Sequence, residues 1–128
     1  MQVKIDTKEK IHVISIIEAN ISANMTEGLR NSLLEILNNP VRNVVLSLKD
    51  INTIDDAAAA MLINVQQLFY EQNCSFVICN VSELLEESLD DHDFLEVMNV
   101  VPTISEAGDI VQMEEIERDL IEGDEDAA

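Results

Sequence analysis

The stretch NTIDDAAAAML, residues 52–62, joins a predicted strand to a predicted helix, and the expected fold is built outward from it. The apolar run 44–48 before it is typical of a buried strand. After it, apolar residues recur with the i, i+3, i+4, i+7 spacing of an amphipathic helix, at Ala58, Met61, Leu62, Val65, Leu68 and Phe69. Asp55 and Asp56 stand at the helix start, where a carboxylate accepts backbone N–H groups and suits the positive end of the helix dipole. Such a loop tip is a common position for a binding site.

The rest of the chain predicts strands that alternate with helices. Strand patterns cover residues 2–7, 11–18, 42–48 and 75–79, and helix patterns begin near residues 25, 56, 82 and 105. Residues 102–104 are expected to form a short edge strand, where proline is tolerated. The order β-β-α-β-α-β-α-(β)-α indicates a single α/β domain over residues 1–121, with a mixed sheet of four to five strands and about four helices. The acidic tail 122–128 is predicted to be disordered.

The net negative charge of the chain comes from residues 50–128. Residues 1–49 have a charge balance of +1, whereas residues 50–128 have −20, with Arg118 as the only basic residue. Nucleic acid and anionic membranes are therefore poor partners, because phosphate contacts need Lys and Arg side chains. A protein with a basic surface is a better candidate, since complementary charge selects partners and speeds encounter. The alternative is that the acidity only keeps a small protein soluble.

The sequence predicts a cytoplasmic protein that is not inserted in a membrane. The N-terminus alternates polar and apolar residues and lacks the long apolar core of a signal peptide. No apolar run approaches the roughly 20 residues that span a bilayer. Cys74 and Cys79 bracket a predicted strand and would lie about 16 Å apart if it is extended, which is too far for a disulfide. Buried free thiols are therefore expected.

No residue pattern predicts catalysis, a cofactor or a metal site, so we do not expect an enzyme. His12 falls in a strand and His92 in an acidic loop, and neither has a nucleophile motif beside it. His92 could at most bind a metal adventitiously, because no ligand spacing supports a structured site. The glycines are scattered, which argues against a phosphate-binding loop. An aspartate pocket for a phosphoryl group at Asp55 and Asp56 would lack a lysine, since none follows Lys49.

Four segments, taken in order, resemble the STAS family, the anti-sigma factor antagonists of bacteria. Residues 18–23 (EANISA) resemble the loop before its first helix, and residues 44–51 (VVLSLKDI) look like its central strand and loop. Ile54-Asp55 resembles the pair that opens its signature, and residues 76–82 (FVICNVS) are similar to its fourth strand and third helix start. The resemblance spans about residues 3–117. It implies a partner-switching protein that binds an anti-sigma factor, usually a serine kinase, and so frees a sigma factor.

The phosphorylation motif of the family is altered in this chain. In the family, the kinase phosphorylates a serine of an aspartate-serine-serine-glycine motif at the start of the second helix. Aligned on Ile54-Asp55, the first serine becomes Asp56, the acceptor becomes Ala57 and the glycine becomes Ala58. A shift of one residue still leaves alanine at the acceptor position, so the resemblance implies a domain without this switch. Alanine favours a helix by about 1 kcal/mol over glycine, so the helix start should be regular.

The predicted partner-binding residues are Ser22, Thr53, Asp55, Asp56, Ala57 and Ala58. Asp56 either supplies a permanent charge, about one against about two for phosphoserine, or only caps the helix. The favoured function is a non-enzymatic interaction domain of bacterial signalling, whose partner is an anti-sigma factor of serine-kinase type or another signalling protein with a basic surface. The alternative is a STAS adaptor subunit of a transport or signalling scaffold complex. A small-ligand sensor is a weaker third hypothesis, because aromatic residues form only 3% of the chain.

Overall fold

A five-stranded sheet with helices on both faces forms the frame of the protein in the computed structural model. The structure describes residues 2–8, 10–91 and 93–127, and for residues 91 and 122–127 it describes the backbone alone. The elements in chain order are β1 Val3–Lys8, β2 Ile11–Ile16, β3 Asn20–Ile21, α1 Thr26–Glu35, β4 Asn43–Ser47, β5 Thr53–Ile54, α2 Asp56–Glu71, β6 Phe76–Cys79, α3 Glu83–Asp91, β7 Val100–Val101 and α4 Ile104–Ala127. One-turn 3-10 helices precede and follow α1.

The sheet has the strand order β1-β2-β4-β6-β7 and is mixed. β1 and β2 pair antiparallel, because their connection is too short for a crossover. From β2 onward the pairs are parallel, and each crossover passes through a helix. β4 is buried along its whole length, as is typical of a central parallel strand that is covered on both faces. The predicted mixed α/β sheet with about four helices is confirmed.

Each face of the sheet has its own apolar cluster. Successive residues of a strand point to opposite faces, so Val44 and Leu46 belong to the larger cluster and Val45 to the smaller one. Helices α1, α2 and α3 contribute their buried residues to the larger cluster. On the other face, α4 packs over β4 and β6 and buries Ala107 and Val111. The start of α2 and the outer side of α4 therefore lie on opposite faces.

A polar network fastens α4 to the starts of β4 and β6. The Arg118 guanidinium donates to Glu115 Oε1 at 2.8 Å and to Ser75 Oγ at 3.0 Å. The side-chain Nδ2 of Asn43 donates to the same Glu115 oxygen at 3.0 Å, and its side-chain Oδ1 accepts the Ser75 N–H at 2.8 Å. The hydrogen bond from Arg118, supported by that from Asn43, lowers the pKa of Glu115 below its ordinary value. The network fixes α4 with charge-assisted hydrogen bonds, which are stronger than neutral ones.

The last strand lies earlier than the sequence predicts. β7 spans Val100–Val101 and pairs with the end of β6, so the edge strand expected at residues 102–104 is wrong. Pro102 has no N–H to donate to a ladder. Thr103 Oγ1 accepts the backbone N–H of Glu106 at 3.1 Å, which is the hydrogen bond of a helix cap and starts α4. The remaining predicted strands and helices are present with shifts of a few residues at their ends.

Both cysteines are buried, and His12 of β2 is hydrogen-bonded within the fold. Cys74 and Cys79 are buried free thiols, as predicted, and burial raises the pKa of Cys79 to about 11. His12 Nε2 donates to the Val41 carbonyl at 2.9 Å, and its Nδ1 lies 2.8 Å from the Thr7 hydroxyl. Both ring nitrogens of this histidine are thus occupied by neighbouring strands and loops.

His92, which by its sequence could at most bind a metal adventitiously, lies outside the described residues. For the predicted tail 122–128, the structure describes only the backbone of residues 122–127, as the end of α4. The domain boundary after residue 121 and the disorder of the tail stay predictions. Among the helices of the described ranges, none is long and apolar enough to cross a membrane.

Candidate functional site

A two-stranded parallel ladder joins the loops that precede α1 and α2. Asn20 and Ile21 of β3 pair with Thr53 and Ile54 of β5. The backbone N–H of Asp55 donates to the Ile21 carbonyl at 2.8 Å, and the Thr53 hydroxyl donates to the side-chain carbonyl of Asn20. Both isoleucines of the ladder are buried in the larger cluster. The two segments are hydrogen-bonded to each other, and their isoleucines are packed in the larger cluster. The two loops therefore form one continuous surface.

Asp55 caps a neighbouring helix and not its own. It occupies the N-cap position of α2 with an extended backbone, but its side chain makes no hydrogen bond to the first turn of α2. Its Oδ2 instead accepts the backbone N–H of Ala23 at 2.8 Å. Ala23 opens the one-turn helix 23–25 that leads into α1, and the first N–H groups of a helix have no partner within it. The prediction that this carboxylate caps α2 is therefore wrong, and the bond couples the starts of both helices.

Most of the predicted contact residues lie on this surface. Four are exposed and a fifth is half-buried: Thr53, Asp55, Asp56, Ala57 and Ser22. The backbone N–H of Ser22 points at Met25 Sδ, 3.4 Å away, which orders the turn before α1. Ala58 is completely buried, because the helical repeat that exposes Ala57 turns the next residue inward. Ala58 is therefore not part of the exposed surface.

Helix α3 borders the same surface and adds negative charge. It packs against β5, and the Ser82 hydroxyl before it accepts the N–H of Leu85 at 3.2 Å. The same hydroxyl donates to the Ile51 carbonyl in the loop before β5 at 3.5 Å. On its outer side α3 exposes Leu84 together with three carboxylates, Glu83, Glu86 and Glu87. The surface around the start of α2 thus carries exposed carboxylates from two helices.

The first turn of α2 carries one carboxylate and no other reactive side chain. Its residues Asp56, Ala57, Ala58 and Ala59 have no hydroxyl, thiol or imidazole group. Across residues 2–8, 10–91 and 93–127, no group of three or more His, Cys, Asp or Glu side chains is arranged to hold a metal ion.

Two residues of this surface were not predicted as part of it. Asn20 supplies an oxygen to Thr53, and Ala23 supplies an N–H to Asp55. The sequence feature that could have indicated their involvement is the similarity of two pairs, Asn20-Ile21 and Thr53-Ile54. Each pair has a polar residue followed by an isoleucine and stands just before a helix, which matches the register of the parallel ladder.

Most of the chain matches the model of a known domain family. The model of the STAS domain family matches residues 2–107, which is most of the chain. The chain belongs to the STAS domain family. The predicted family is thereby confirmed, together with the fold that the resemblance implied. No curated protein matches the chain.

Solved structures share the fold of this STAS domain at low sequence identity. An anti-sigma-factor antagonist (STAS) domain protein from Planctomyces limnophilus is 20% identical with a TM-score of 0.70, and the match covers 82% of this chain and 93% of that one. RsbS from Moorella thermoacetica is 16% identical with a TM-score of 0.72, over 92% and 99% of the two chains. A sulfate transporter family protein from Wolinella succinogenes is 15% identical with a TM-score of 0.63, over 87% and 89%. The fold thus occurs both in anti-sigma factor antagonists and in a transporter family.

Proposed function

We propose that this STAS domain is a non-enzymatic protein-interaction domain of cytoplasmic bacterial signalling. It resembles an anti-sigma factor antagonist and binds an anti-sigma factor of the serine-kinase type without any cofactor. The observation that carries the proposal is the bond from the Ala23 N–H to the Asp55 carboxylate, together with the β3–β5 ladder. These contacts hold two exposed loops and a helix start in one fixed arrangement. A surface that is ordered before binding loses less conformational entropy when it binds.

The proposed binding surface lacks the regulatory phosphoserine. Ala57 is exposed in the first turn of α2, at the position aligned with the phospho-acceptor, and has no hydroxyl. The beginning of a helix stabilises negative charge, and Asp56 lies there, next to the acceptor position. Because this charge is permanent, the proposed interaction is not switched by phosphorylation at this position. Release of the partner must then depend on another event.

Affinity capture from the host lysate with the tagged domain tests the proposal, with mass spectrometry to identify the proteins. We expect the wild-type domain to recover an anti-sigma factor of serine-kinase type, and Asp56→Lys to lose it. Glu71→Lys is the matched control, because it makes the same charge change at the exposed far end of the same helix. Equal recovery by Asp56→Lys and Glu71→Lys variants would move the interface away from the start of α2.

Incubation with the recovered kinase and ATP tests the missing switch. The wild-type chain should gain no phosphate, whereas Ala57→Ser restores a hydroxyl at the exposed position and should be phosphorylated and lose its partner. Phosphate found on Thr53 or Ser47 of the wild-type chain would contradict the proposal. Peptide mass spectrometry distinguishes these sites directly.

The second candidate is an adaptor subunit of a transport or signalling scaffold complex. The observation that favours it is the shared fold with the sulfate transporter family protein from Wolinella succinogenes. The same capture experiment separates the two functions. Recovery of transporter subunits or scaffold proteins without a kinase supports the adaptor.

A further inference from the structure

Helix α4 is apolar on two opposite sides, and only one of them is covered. Ala107 and Val111 face the sheet and are buried. Met113, Ile116 and Leu120 are 60%, 59% and 64% exposed. At about 100° per residue, these three lie roughly opposite the buried side and form one line with i, i+3, i+7 spacing. We call these three residues the outer stripe.

The charged residues that border the outer stripe, among those whose side chains are described, are all carboxylates. Asp109 precedes it, and Glu117 and Asp119 flank it on its two sides, all exposed. Arg118 could have neutralised this border, but its side chain is only 19% exposed and donates to Glu115 and Ser75 on the inner side. The outer side of α4 therefore carries no cation among the residues whose side chains are described.

Two lysines of the β1–β2 hairpin lie beside α4. An open groove of about 600 Å³ between α4 and the β1–β2 hairpin is lined by Lys8, Lys10 and Ile116. Lys10 also lies 3.8 Å from Glu115. Asp109 and Asp119 also line this groove, so the two lysines face one edge of the outer stripe, whereas Met113 and Leu120 are not among the lining residues.

We propose that the outer stripe binds an amphipathic helix of a partner protein whose apolar face is flanked by Lys and Arg. Apolar residues at i, i+3 and i+7 are the anchors of helix-to-helix docking, and complementary charge fixes the partner. A second copy of this chain fits poorly, because pairing two outer stripes would bring carboxylates against carboxylates. The proposal does not depend on the function proposed above, because it concerns the opposite face of the sheet.

The test uses a synthetic helix of leucine and lysine with a continuous leucine face, labelled for fluorescence anisotropy against the full chain. We expect Ile116→Ser to weaken its binding about tenfold, the order expected for losing most of one buried isoleucine. Leu84→Ser on α3 is the matched control, because Leu84 is also 59% exposed and stands among carboxylates. It should change affinity less than twofold. Isoleucine and serine have similar helix propensity, so α4 itself should persist, and circular dichroism checks this.

Three results would overturn the proposal. Equal weakening by Ile116→Ser and Leu84→Ser would show that the peptide follows overall charge and not the outer stripe. If the wild-type chain bound a scrambled peptide of the same composition with equal affinity, binding would again follow overall charge and not the outer stripe. Concentration-dependent dimers in analytical ultracentrifugation that are lost in Ile116→Ser would make a second copy the occupant.

Discussion

Replacing Arg118 by methionine should detach the polar anchor of α4 and lower the stability of the domain. Methionine keeps an unbranched apolar side chain in the same space but cannot donate to Glu115 at 2.8 Å or to Ser75 at 3.0 Å. A hydrogen bond to a charged group contributes about 1.5–3 kcal/mol and a neutral one about 0.5–1.5 kcal/mol. The side chains of Arg118 and Glu115 are 19% and 26% exposed, so solvent screens part of this energy.

We therefore expect Arg118→Met to lower the free energy of unfolding by about 2–3 kcal/mol. For a domain of this size, that corresponds to a loss of roughly 6–12 °C in melting temperature. Urea unfolding followed by circular dichroism measures the free energy, and Arg30→Met on the exposed side of α1 is the control for losing one positive charge. A loss below about 0.5 kcal/mol, or one equal to that of Arg30→Met, would refute the reasoning, because surface substitutions alone reach that size.

Three further predictions follow from individual contacts. Asp55→Ala should speed amide hydrogen exchange at Ala23, because the acceptor of its N–H is lost. Asp55→Asn should keep the exchange rate close to that of the wild type, since the side-chain amide oxygen still accepts this hydrogen bond. Equal exchange rates in the two variants would contradict the coupling of the two helix starts. The folded-state pKa of Glu115 is lowered, so its contribution to stability is complete above its unfolded value of about 4.5 and is lost as the pH falls through the folded value. Glu115→Gln should therefore flatten the acid limb of the pH–stability curve, and an unchanged acid limb would remove Glu115 as its cause. Cys74 and Cys79 are buried with raised pKa values, so a thiol reagent should modify them only at the rate of unfolding, whereas rapid labelling of the folded protein would contradict their burial.

The helices and strands that could be predicted best from the sequence are those along which an apolar pattern repeats. The apolar spacing of α2 and the continuous run of β4 could be read locally, because each reflects one face packed on the sheet. The same spacing already counted Ala58 among the inward positions, so its burial was available from the sequence. β3 and β5 have two residues each and are too short for any periodicity.

The partner of Asp55 could not be predicted from the sequence. The bond to Ala23 joins residues that are 32 positions apart, and the register of the β3–β5 ladder brings them together. From the local sequence, a carboxylate at a helix start is expected to cap that helix. Here the tertiary contact replaces the local one, because the one-turn helix before α1 presents its own unpaired N–H at the same place.

The two edges of the main sheet restrict how any partner can be recognised. On one edge, β1 is exposed throughout and carries Lys4, Asp6 and Lys8 on alternate positions, and such charges discourage the pairing of a further strand. On the other edge, β7 is two residues long and is followed directly by Pro102. The charges on β1 and the shortness of β7 therefore both disfavour the addition of an extended peptide strand. We expect a partner to contact the side chains of helices and loops instead, so that surface substitutions that leave every strand unchanged can alter specificity.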